Sequence, residues 1–190
     1  LTAAQVSVLS TTEVQNLSAA QVGKLSTAAV HSLSTDQVNA LGTDQLNALT
    51  TAQVASLTTT QVASLSTDQV SGLSTTELRN LSTSQISHLS TDQVTTLSGA
   101  QINALSTTQV ASLTTAQVAS LSTDQVSNLS TAELRGLTTT QISHLSTDQV
   151  TTLSANQLNA LTSSQVASLT TDQVSALSTT QVSGLSTTQV

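Results

Sequence analysis

The chain has 190 residues, with no Phe, Trp, Tyr, Cys, Met or Pro, and carries three basic against ten acidic residues for a formal net charge of −7. Its cations Lys24, Arg79 and Arg135 stand alone, which speaks against a nucleic-acid or anionic-membrane partner, since both need clustered Lys and Arg to displace counterions. The lack of Cys removes disulfides and thiolate metal sites, no apolar run reaches transmembrane length, and any core must be assembled from Leu, Val and Ile.

From Leu1 the sequence divides into eight-residue blocks without insertion or deletion, stopping six residues into the twenty-fourth. The consensus is Leu-Ser/Thr-Thr-x-Gln-Val-x-x. The first position is Leu in every block through Leu185, and the second is Ser or Thr except at Gly42. The fifth is Gln except at Glu13, Ala29, Glu77 and Glu133, and the sixth is always Val, Ile or Leu. A longer period follows: residues 41–96 resemble 97–152, down to the pairs Glu77/Glu133, Arg79/Arg135 and His88/His144, and a third copy occupies 153–190. Tandem duplication of a 56-residue segment accounts for it, as does a coil in which seven blocks make a whole number of turns. The whole of 1–190 is expected to form one continuous repeat array. The absence of an initial Met and of a signal peptide suggests a stretch of a longer chain.

Eight residues of this pattern do not suit a long helix. At about 100° per residue the apolar stripe would advance by roughly 80° per block and wind around the helix. Nor do they suit a continuous strand, in which every Leu would face one side and every Val the other, too sparsely to bury either face. A short helix uses every consensus position. In the block Leu65–Gly72, Ser66 and Gln69 have the spacing of a capping box, while Leu65 and Val70 have that of a hydrophobic staple. Glu at the fifth position is compatible with the same box, and Asp68 in the first turn suits the helix dipole. The expected fold is therefore all-α, a solenoid of very short capped helices, one per eight-residue repeat. A β-solenoid with a corner in each block is the alternative. Helices this short persist only by stacking. Either their Ser, Thr and Gln side chains bond between coils or other chains cover their surface, and self-association into a homo-oligomer or filament is expected.

Candidate chemistry is sparse. His31, His88 and His144 have no second His, Cys or acidic cluster at metal-ligand spacing, although Asp92 and Asp148 follow the last two by four residues. With Ser or Thr in every block, a Ser, His and Asp can always be found, so their presence says nothing of a triad. The acids lie at least a block apart, and no phosphate loop or EF-hand pattern occurs. We expect no catalytic, cofactor-binding or metal-binding residues, no small-molecule ligand, and no enzyme. Asn16, Asn80 and Asn128 begin Asn-Leu-Ser triplets that match the N-glycosylation pattern, as any Asn before the recurrent Leu-Ser must. Third-position threonines such as Thr107, Thr115 and Thr123 are the one candidate for a repeated ligand face, for ice or glycan.

The blocks, for example LTTDQVSALSTTQV at Leu169–Val182, resemble the low-complexity repeat regions of very large bacterial surface or secreted, adhesin-like proteins. The resemblance covers the whole chain and implies an extracellular or cell-surface stalk, shaft or filament, with no functional residues to carry over. The Leu-Thr-x-x-Gln-Val stretch at Leu1–Val6 is also similar to the first helix of transcription-activator-like effector repeats. Those repeats are far longer and carry paired base-reading residues, for which an acidic eight-residue block has no room. The function expected is structural, an extended rod or filament segment; the alternative is a repeat-surface binding module.

Overall fold

A computed structural model describes residues 1–187 of the chain. Among them are twenty-three α-helices and no strand, the first over Ala3–Val6 and the last over Thr179–Ser183, each four to six residues long. The all-α solenoid with one helix per block is the observed fold, and the β-solenoid is not.

Each block repeats one local structure. In the block led by Leu57, Thr58 is the N-cap with φ −73° and ψ 157°, and its hydroxyl accepts from the Gln61 backbone N–H. The Gln61 Oε1 accepts in return from the Thr58 N–H at 2.7 Å, closing the capping box. The helix then runs over Thr59–Ser64 and ends at Leu65, whose N–H donates to the Val62 carbonyl and whose φ −56° and ψ 139° are extended. Two consecutive residues in polyproline-II-like geometry thus make the corner between helices. Among the described residues no φ is positive, so the corner needs no Gly, Asn or Pro at a fixed place. Gly, Asn, Asp and Pro, the usual corner residues, are scarce at any fixed position of the repeat, and this corner allows that.

The chain divides into two compact units, Leu1–Leu97 and Ser98–Val190. Within each, helices three apart in sequence pack on one another. In the first unit Ala3–Val6 lies on Thr27–His31 and Thr35–Asn39 on Thr59–Ser64; in the second Thr107–Ser112 lies on Thr131–Gly136 and Thr147–Thr151 on Thr171–Ala176. The interior is two apolar rows. Sixth-position residues from Val6 to Leu158 are at most 3 % exposed, and first-position leucines from Leu33 to Leu161 at most 8 %. These are the staple residues, so the contact that fixes each corner also supplies the core.

Where coils meet, the seventh and eighth positions come close to the backbone or side chains of the neighbouring coil. A Cβ added to Gly23 would stand 2.7 Å from the Ala48 carbonyl oxygen, and one on Gly136 would stand 3.2 Å from the Thr107 Cα. The first contact is with backbone, which cannot rotate away. Gly23→Ala is therefore expected to destabilise the first unit by about 1–3 kcal/mol. Gly42→Ala, where only the Gln45 Oε1 at 3.7 Å lies nearby, serves as the control in urea denaturation and should change stability by less than about 1 kcal/mol.

Candidate functional site

The most organised chemistry in the molecule is a row of buried glutamine amides. From Gln37 to Gln181 the fifth-position glutamines are at most 8 % exposed. A buried primary amide must satisfy two donors and an acceptor. Gln53 does so with its Oε1 on the Thr50 N–H at 2.7 Å and its Nε2 on the carbonyls of Val22 at 3.0 Å and Leu25 at 2.7 Å. In the first unit Gln37, Gln61, Gln69, Gln85 and Gln93 repeat the pattern, always to the residues 31 and 28 earlier. In the second unit Gln141, Gln149, Gln165, Gln173 and Gln181 do the same.

A helix leaves its first N–H groups and last carbonyls without intrahelical partners. One glutamine here serves both ends. Its oxygen accepts from the N-cap of its own helix, and its nitrogen donates to the two terminal carbonyls of a helix one coil back. The offsets of 31 and 28 residues both fall between three and four blocks. The sequence marked Gln as a capping residue; its second role as a coil-to-coil donor was there only as one of several ways a stack of short helices could be held.

The three glutamates at this position separate the two roles. Glu13 lies in the first coil, fully exposed, where the Ser10 N–H and hydroxyl both donate to its Oε2 at 2.8 Å. These bonds, the backbone one foremost, hold its carboxyl below the usual range. Glu77 and Glu133 are buried, each 6 % exposed, and neither closes a capping box. Instead Asn47, from the coil beneath, accepts from the Ser74 N–H at 2.8 Å and donates to the Gly72 carbonyl at 2.9 Å. Asn103 brackets Ser130 and Asn128 in the same way, and Asn159 brackets Ser186 and Gly184. The expectation that Glu simply replaces Gln in the box holds at Glu13 and fails at Glu77 and Glu133, because at a buried position the nitrogen, not the oxygen, faces the coil beneath.

The other candidate residues serve local roles. His88 and His144 are exposed C-cap residues whose Nδ1 lies 2.7 Å from the carbonyls of Ser84 and Thr140, so that nitrogen carries the proton and donates. His31 ends its helix, exposed. Among the described residues no group of three His, Cys, Asp or Glu is placed to hold a metal ion. Of the Asn-Leu-Ser triplets, Asn16 and Asn128 are exposed and donate to the carbonyls of Thr12 and Asp124 four residues back, while Asn80 is half-buried at the end of its helix. The third-position threonines begin their helices; Thr107 and Thr123 are exposed and Thr115 is half-buried. No helix among the described residues is long and apolar enough to cross a membrane.

No curated protein matches the chain. The ALTTAQ repeat profile matches six overlapping stretches, residues 19–51, 45–75, 71–99, 99–131, 123–155 and 151–179. Each spans 29 to 33 residues, close to the offsets of 28 and 31 residues between bonded coils. With an unbroken run of matches over residues 19–179, the chain belongs to the ALTTAQ repeat family.

Proposed function

We propose that this tandem-repeat protein, which folds as a helical solenoid, is a structural, extracellular or cell-surface spacer: a rod or filament segment of a large bacterial protein, adhesin-like in context, that sets a distance and performs no catalysis. The observation that supports it is the glutamine row. Within each unit, glutamine amides of one coil donate to a sixth-position and a first-position carbonyl of the coil before it, as Gln53 does to Val22 and Leu25 and Gln165 to Leu134 and Leu137. An interface of this heterologous kind adds coils along an axis without closing.

The same coil-to-coil complementarity also supports self-association with another copy. Sedimentation velocity tests both parts. A spacer should show a frictional ratio that rises steadily as blocks are added in multiples of seven, and self-association should appear as a weight-average mass growing with concentration. A frictional ratio that stays at the value of a compact globule as blocks are added would reject the spacer. A stable folded monomer across the micromolar range would reject self-association.

A further inference from the structure

Glu77 is the fifth-position residue whose chemistry does not match its place. The register of the glutamine row puts the Leu46 and Leu49 carbonyls opposite it, at 31 and 28 residues back. Glu77, Leu46, Leu49, Val54, Leu57 and Leu81 line one interior cavity of about 10 Å³. That volume is at the lower edge of what one water needs, and a water also needs two to four polar partners. The other side chains lining the space are aliphatic. The Glu77 Oε2 is buried there with no hydrogen-bond partner. Asn47 already accepts from the Ser74 N–H, so the carboxyl has no capping duty to draw it outward.

An ionised carboxylate can only accept, and it would face carbonyls that also only accept. A protonated one carries an O–H that donates. We propose that Glu77 is a proton-binding site in which the neutral carboxylic acid donates to the Leu46 or Leu49 carbonyl, taking the place of a glutamine amide, so that this coil contact opens when the proton is lost. No charged group opposes this arrangement. The helix packed beneath, Thr51–Ser56, carries no titratable side chain. The neighbouring Asp44, Asp68 and Arg79 are all exposed. Burial pushes the Glu77 carboxyl above its ordinary value, outweighing its own backbone N–H. Glu133, at the equivalent place in the second unit, differs in that the Ser130 hydroxyl donates to its Oε2.

For a group whose folded-state pKa is raised, the stabilisation is complete below the unfolded value and is lost as pH rises through the folded one. The test compares the full chain with Glu77→Gln, a substitution that restores the consensus and should fold. Thermal melts between about pH 4 and about pH 8 should show the wild type falling away from the variant as pH rises. A tenfold loss in the folding constant corresponds to a fall of about 3–6 °C in a chain of this length. Infrared spectra of the folded wild type, followed from about pH 4 upward, should contain a carboxylic-acid C=O band that persists above the ordinary glutamate range and that Glu77→Gln lacks. Parallel melting profiles, or identical acid bands in the two proteins, would overturn the proposal.

Discussion

Gln85→Leu is expected to destabilise the first unit by about 2–5 kcal/mol. The substitution keeps the side-chain bulk and removes three bonds: the Oε1 acceptor for the Ser82 N–H at 2.6 Å, and the Nε2 donors to the Val54 and Leu57 carbonyls at 2.9 and 2.7 Å. The Leu57 carbonyl left without that donor costs about 1–3 kcal/mol, the Val54 carbonyl keeps the Leu57 N–H and loses one bond of about 0.5–1.5 kcal/mol, and the lost cap adds up to about 1. Gln5→Leu is the matched control, because Gln5 is exposed and its Oε1 serves only the Thr2 N–H at 2.8 Å. It should cost about 1 kcal/mol or less. Urea denaturation of the two variants measures the difference. Equal costs would mean that capping, and not the bond between coils, is what the glutamines contribute.

The second large effect is expected at Leu78. It is fully buried, 0 % exposed, at the sixth position of the helix Thr75–Asn80. The interior around it has no aromatic or Met side chain to shift into a gap, since the chain contains none. Leu78→Ala should cost about 2–5 kcal/mol, with the upper part of that range expected where the surroundings collapse least. Leu1, 63 % exposed in the first block, should lose no more than about 0.5 kcal/mol on the same change. A Leu78→Ala cost below about 1 kcal/mol would mean that the two apolar rows are loosely packed and that the polar bonds alone hold the coils.

The fold was legible because the repeat fixes several things together. Ser66 and Gln69 announce a helix start, Leu65 and Val70 announce the staple, and the shortness of the block forces stacking. What the sequence did not force was the partner of the glutamine nitrogen. The clue is in the composition of the fifth position, where Glu occurs only three times. A capping box accepts Glu as readily as Gln, and the helix dipole favours the charged residue. A strong preference for the neutral amide therefore points to a required N–H donor, which Glu cannot supply when ionised. The Asn47, Asn103 and Asn159 brackets were unreadable for a different reason. Their bonds span 25 and 27 residues, and only the coil length, known once the fold is in hand, brings those positions together. The search for a candidate site met the same repeat from the other side. Ser, Thr and Asn recur wherever a cap or corner needs them, so their spacing reports the coil before it reports any chemistry, and His88 and His144 prove to be C-cap residues.

Hydrogen exchange of the glutamine side-chain amides tests the account most directly. Selective ¹⁵N labelling of Gln should resolve two classes. The buried amides, Gln53, Gln61, Gln85 and Gln141 among them, should exchange slowly, at rates that track the opening of their coils. The exposed amides of Gln5, Gln15 and Gln21 should exchange as free side chains do. A single fast class covering all the glutamines would contradict the coil-to-coil bonds on which this solenoid rests.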